Sequence, residues 1–238
     1  MSQQLINHSL DLLKLRNEGY DISVSNGYLL VRQVPYVDAS KVVLRGTLIC
    51  KLELAGDKTK KPQDHKAYWM GSPPCHHTGE PLDKIINRIQ TIQLGNGLVA
   101  NVMFSAKTNY HDFHHKVITY VGRIAGEASA LDAQATPLVF PTIPDDTNDS
   151  PFKYVDTASS RSDIGHVNEK LKGLRIGIIG LGGTGSYVLD LIAKTWVSEI
   201  HLIDGDEFSQ HNAFRAPSAT SLDGLSGKPC KVQHFAEL

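Results

Sequence analysis

Residues 175–215 read RIGIIGLGGTGSYVLDLIAKTWVSEIHLIDGDEFSQHNAFR, and this stretch decides the fold. Leu174–Ile179 is a short, branched apolar run, as a buried parallel strand requires. Gly180-Leu181-Gly182-Gly183-Thr184-Gly185 follows at once. Ser186–Trp196 then spaces Val188, Leu189, Ile192 and Ala193 as a helix does. Glu199–Ile203 is a second apolar strand, and it ends in Asp204. The pattern predicts one βαβ unit with a glycine loop at its first turn.

The loop has the composition of a phosphate cradle. Gly180 and Gly182 permit a tight turn and a close approach of backbone to phosphate, and Gly185 lets the helix pack near the sheet. The helix N-terminus then offers free N–H groups and a positive dipole end to an anion. Asp204 stands nineteen residues beyond Gly185, which suits a carboxylate that accepts hydrogen bonds from a ribose. The expectation is a nucleotide site built from Gly180, Gly182, Gly183, Gly185 and Asp204. A glycine turn that only packs helix on sheet explains the glycines but not the acidic end of the next strand.

The residues after that strand narrow the reading. Asp204-Gly205-Asp206, then Asn212-Ala213-Phe214-Arg215, then Gly227-Lys228-Pro229-Cys230-Lys231-Val232 follow in order. This series resembles the ThiF/MoeB family, the adenylating fold shared with ubiquitin-activating enzymes. Two departures stand out. Asn212-Ala213 replaces the family's usual Asn-Leu, and Cys230 separates Pro229 from Lys231. Either Lys228 or Lys231 therefore matches the family lysine, and Lys231 is favoured because Val232 follows it. The resemblance covers about Leu171 to the C-terminus. It implies ATP and Mg²⁺ as cofactors and adenylation of the C-terminal carboxylate of a ubiquitin-like or sulfur-carrier protein.

The chemistry explains the residue types. A carboxylate attacking the α-phosphate brings two anions together, so the site must supply cations. Arg215 and Lys231 would hold the triphosphate, Asn212 would orient phosphate oxygens, and Asp204 would take the ribose hydroxyls. Asp206 would help to hold Mg²⁺, a hard cation that prefers oxygen. Family members dimerise through this fold, which makes a homodimer an expectation, with Arg161 reaching the partner's site.

Composition sets outer limits. With 238 residues the chain holds one large or two modest domains. Hydrophobic residues at 41% and charged residues at 21% describe an ordinary globular chain. A net charge of −1 offers nothing to nucleic acid or an anionic membrane. No apolar run approaches a membrane span, and Met1–Leu10 lacks the pattern of a signal peptide. Cys50, Cys75 and Cys230 make no disulfide framework, so the reading is cytoplasmic.

Pro141–Pro151, PTIPDDTNDSP, reads as a linker. The expected architecture is α/β. An α+β domain over 1–140 and a linker over 141–160 precede the start of a Rossmann-like nucleotide-binding domain of ThiF type over 161–238. A helix is expected over His166–Leu171, and Gly227–Leu238 reads as the opening of another crossover helix. Only two strands are legible after residue 170, where a doubly wound sheet usually has about six. The expectation is a chain shortened relative to its family.

In the first domain, Gln3–Asn17 reads as an amphipathic helix and Phe113–Ala130 as another. Tyr28–Val31, Val42–Leu44, Thr47–Leu54 and Ala67–Met70 read as strands. This order resembles the uncharacterised N-terminal domain of some bacterial ThiF-type proteins. Cys75, His76 and His77, with His111, His114 and His115, are candidates for zinc ligation. Cys75 beside a histidine also suits a thioester. A protein-recognition module with surface histidines is the third reading.

Three functions follow. The first is a ubiquitin-like modifier activating enzyme, an adenylyltransferase. The second is a Rossmann oxidoreductase using NAD, which leaves Asn212–Arg215 and the lysine unexplained. The third is a non-catalytic module on a nucleotide-binding fold.

Overall fold

The computed structural model describes residues 2–145 and 150–238. The chain forms two compact units, Met1–Thr142 and Ile143–Leu238. The expected linker Pro141–Pro151 spans their boundary, and its residues 146–149 lie outside the described residues.

The first unit opens with α1 (Ser2–His8) and α2 (Leu10–Glu18). The single helix expected over Gln3–Asn17 is thus broken at Ser9. Ser9 is buried in an extended conformation, and its hydroxyl accepts a 3.0 Å hydrogen bond from the Thr59 N–H. A side chain committed to a strand ends one helix and starts the next. Gly19, at φ 108, terminates α2 in the left-handed conformation.

Eight strands follow: β1 (Asp21–Ser25), β2 (Tyr28–Val37), β3 (Val43–Lys51), β4 (Leu54–Ala55), β5 (Lys58–Thr59), β6 (Lys66–Met70), β7 (Ile86–Gly95) and β8 (Leu98–Ser105). Six of them make one antiparallel sheet in the order β1-β2-β3-β6-β8-β7, while β4 and β5 pair separately. The two strands expected over Val42–Leu44 and Thr47–Leu54 are one strand, β3, with a short separate β4 beyond it. Gly46 does not turn the chain there. A methyl at Gly46 would overlap the Trp69 ring, so its role is to admit a buried indole.

Helix α3 (Phe113–Leu131) lies against the sheet. Asp112 caps it by accepting the His115 N–H at 2.7 Å. Phe113, Val117, Tyr120, Val121, Ile124 and Ala125 are buried at helical spacing. They meet Leu29, Leu48, Trp69 and Phe104 in one core.

In the second unit, α4 (Ala158–Arg161) and α5 (Gly165–Glu169) precede β9 (Arg175–Ile179). Then come α6 (Gly183–Ile192), β10 (Glu199–Ile203), α7 (Gln210–Ala213), α8 (Leu222–Ser226) and α9 (Lys231–Glu237). Strands β9 and β10 pair in parallel, Arg175 opposite Glu199 and Ile179 opposite Ile203. Helix α6 begins three residues earlier than the apolar spacing suggested, inside the glycine loop itself. Ile178, Leu181, Leu189, Phe208 and Phe235 form the core. Ile179 and Ile203 remain 83% and 54% exposed, so the C-terminal ends of this parallel pair present uncovered apolar surface. Among the described residues, no helix is long and apolar enough to cross a membrane.

Candidate nucleotide site

The glycine loop and the end of β10 are held together by one carboxylate. Asp204 Oδ2 accepts the Leu181 N–H at 2.6 Å, and Oδ1 accepts the Asp206 N–H at 2.8 Å. The Gly180 N–H donates to the Ile203 carbonyl at 2.8 Å, so loop and strand end are tied at two successive residues. Hydrogen bonds from Asp206 and Leu181 hold the Asp204 carboxyl below its usual range, with Lys231 adding to them.

Gly180 sits at φ 88, which a side chain would strain. Gly185 answers a different need. A methyl there would overlap the Gly180 carbonyl oxygen, so the first turn of α6 packs directly on the loop that precedes it. Gly182 has neither constraint, since its φ is −74 and an added methyl meets nothing within 4 Å. Space beside a backbone of this kind is what a phosphate group would use. Gly183 lies against the Arg215 backbone, where a methyl would stand 3.5 Å from the Arg215 carbonyl oxygen.

The two candidate lysines differ sharply. Lys228 is exposed at φ 42. Lys231, the first residue of α9, is only 5% exposed. Its Nζ lies 2.7 Å from Asp206 Oδ2 and 3.5 Å from Asp204 Oδ1. The segment before α9 runs along the chain after β10, with the Phe208 N–H donating to Pro229 and the Lys231 N–H to Asp206. That pairing fixes the lysine between the carboxylates. The Asp206 hydrogen bond and both negative charges raise the Lys231 pKa.

Asn212 is buried, and its Oδ1 accepts the Ser209 N–H at 3.0 Å and the Ser209 hydroxyl at 2.9 Å. It therefore builds the first turn of α7, a capping role that its sequence neighbours had not suggested. Arg215 follows one turn later and is exposed, with no side-chain partner among the described residues. Arg161 closes the short helix α4 on the surface.

Asp206 fits a magnesium ion only in part. Its side chain is 77% exposed and its Oδ2 already holds Lys231. A single carboxylate suits Mg²⁺ when phosphate oxygens and water complete the shell. Among the described residues, no group of three or more His, Cys, Asp or Glu side chains is arranged to hold a metal ion.

The candidates in the first unit are placed otherwise. Cys75 is buried and bridges Val37 and Pro81 in backbone pairing. Burial, with Asp38, Glu80 and Asp83 nearby, pushes its thiol pKa up, which keeps it protonated. His76 and His77 both turn to Glu127, their Nδ1 atoms 2.9 Å and 2.8 Å from its two oxygens. Glu127 is a partner that sequence spacing did not reveal, because it lies fifty residues away on α3. His114 meets Glu18 at 2.9 Å, and His115 stacks on His111 with ring centroids 4.2 Å apart. The histidines thus occupy separate local pairings, and none of them is brought to Cys75 as a base.

Comparison with known families finds two matches along the chain. The ThiF family matches residues 158–233, which contain the glycine loop, both acidic residues, Asn212, Arg215 and Lys231. No curated protein matches the chain, and neither does any solved structure. A family described as Domain of unknown function (DUF6791) matches residues 10–157, more than half of the chain. The chain belongs to that family, with a ThiF-family nucleotide-binding fold following it in the same polypeptide.

Proposed function

We propose that the chain acts in ATP-dependent adenylation of a protein C-terminal carboxylate, as the activating component for a ubiquitin-like or sulfur-carrier partner in a cytoplasmic setting. The observation that supports this reading is that the Arg215 backbone lies against Gly183 while the Lys231–Asp206 pair stands beside Asp204, whose carboxylate ties down the glycine loop. An open backbone at Gly182 and the N-terminus of α6 would receive phosphate. Arg215, free of side-chain partners among the described residues, would meet the triphosphate as it binds. Lys231 would exchange a carboxylate for a phosphate oxygen. Asp206, released from it, would hold Mg²⁺ together with the phosphates.

In the reaction, an oxygen of the partner's carboxylate forms a bond to the α-phosphorus, and the bond to the pyrophosphate oxygen breaks. Pyrophosphate leaves with the electron pair. The chain supplies position and positive charge rather than a nucleophile.

The test is the thermal stability of the full chain with ATP–Mg²⁺ against NAD⁺. At about a hundred times Kd, a ligand of the native state adds roughly 2.7 kcal/mol. Stabilisation by ATP–Mg²⁺ that is lost in Arg215→Ala supports the reading. Stabilisation by NAD⁺ alone would replace it with the oxidoreductase.

A further inference from the structure

A second site lies in the first unit, independent of the nucleotide reading. A cavity of about 370 Å³ opens beside α3, bordered by Gly122, Gly126 and Glu127 of that helix. Leu82 and Ile85, 5% and 3% exposed, give it an apolar wall. Methyl groups added at Gly122 or Gly126 would meet nothing within 4 Å, so the helix leaves open space there.

Three polar features converge on this space. Glu127 receives the Nδ1 atoms of His76 and His77 and the His77 N–H at 2.9 Å. A carboxylate only accepts, so each ring donates from Nδ1. His76 lines the cavity, so its ring reports on what enters there. Lys84 and Arg123 line the same cavity, and neither side chain has an ion pair or hydrogen bond among the described residues. Glu127 is already committed to two histidines, so the local excess of charge is positive.

We propose that this cavity binds a small organic carboxylate. Its charged head lies between Lys84 and Arg123, in the cavity that the His76 ring also lines, and its hydrocarbon rests on Leu82 and Ile85. Two cations without partners select an anion, and the apolar wall selects one with a hydrocarbon body over a bare oxyanion.

The experiment titrates the full chain with butyrate, butyramide and inorganic phosphate. Proton NMR follows the Cε1–H of His76, identified by its disappearance in His76→Gln. Butyrate shifts this signal at lower concentration than phosphate, and the neutral amide leaves it in place. Replacing both exposed cations, Lys84→Ala with Arg123→Ala, weakens butyrate about tenfold or more, since each loses a charge-assisted contact. Gly126→Leu fills the cavity from a helix position that favours leucine over glycine, and it abolishes the butyrate shift with the fold retained. An equal response to butyramide, tighter binding of phosphate, or undiminished binding in either variant would overturn the assignment.

Discussion

Asp204 and Leu181 are twenty-three residues apart in sequence, yet the Asp204 carboxylate accepts the Leu181 N–H at 2.6 Å. The contact joins the end of β10 to the middle of the glycine loop, so loop shape depends on a side chain outside the loop. Asp204→Ala orphans the Leu181 and Asp206 amides and removes one anion beside Lys231. The expected loss is about 3 kcal/mol for the second unit, from hydrogen bonds to a charged group. Hydrogen exchange should accelerate at the Leu181 and Asp206 amides first. Unchanged protection at both would contradict the tie.

Gly185 and Gly182 separate packing from ligand approach. In Gly185→Ala the new methyl overlaps the Gly180 carbonyl oxygen, a backbone atom that cannot rotate away. Destabilisation of about 3 kcal/mol is expected, at the upper end for overpacking. Gly182→Ala meets nothing within 4 Å at a φ that alanine tolerates, so its melting temperature should stay near wild type. Its ATP affinity should nevertheless fall, because the methyl occupies the space left for phosphate. Calorimetric titration of both variants reads the contrast, and equal ATP binding by Gly182→Ala and wild type would remove the cradle.

Lys231 and Lys228 offer a second contrast. Lys231→Met leaves Asp204, 7% exposed, without its cation. The expected cost is about 2 kcal/mol, below that of a fully buried pair because Asp206 stays solvated. Lys228→Met changes an exposed residue and should leave urea unfolding unaltered. A larger effect at Lys228 would reverse the assignment of the family lysine.

The Glu127 tie predicts a pH dependence in the first unit. Burial raises the Glu127 pKa, but the His77 amide and both imidazoles outweigh it and hold the carboxyl at about 2, from an ordinary 4.5. A folded pKa below the unfolded one contributes stability that is present above the unfolded value. That contribution is lost as pH falls from about 4.5 to about 2. Trp69 is buried in the core of this unit, so its fluorescence in a Trp196→Phe background follows unfolding there. Glu127→Gln should be less stable than wild type at neutral pH, and the difference should shrink through that acid window. A difference independent of pH would mean that the charge of Glu127 carries none of the effect.

The parts legible in the sequence are those whose signal is local. Strand β9, the glycine loop and β10 announce themselves as apolar runs around glycines, and α3 as a long amphipathic period. Strand β7 was missed because it is an edge strand with most of its side chains exposed, so it shows no alternation. Its partner β8 was missed with it, although Asn96-Gly97, at φ 47 and φ 78, marks the hairpin between them. Asn26-Gly27 marks the β1–β2 hairpin in the same way. Gly46 and Ser9 misled for a common reason, since each serves a tertiary contact that residue type alone does not disclose. At the candidate site, glycine spacing and the acidic pair were readable. The Leu181 amide was not, because a backbone donor has no letter of its own.

Arg215 gives the cleanest discrimination between binding and folding. Its side chain is exposed and has no partner among the described residues, so truncation removes no contact that the free protein makes. Arg215→Ala should therefore unfold in urea as wild type does, within about 0.5 kcal/mol. Its backbone lies against Gly183 at the first turn of α6, and on the proposed reading its guanidinium would meet the phosphate bound there. Loss of a charge-assisted contact to that phosphate weakens ATP by about 2 kcal/mol, roughly thirtyfold. Arg215→Lys keeps the charge but loses the planar fork, and should recover only part of the affinity. Full recovery by lysine would reduce the role to charge alone, and ATP affinity equal to wild type in Arg215→Ala would exclude this arginine from the site.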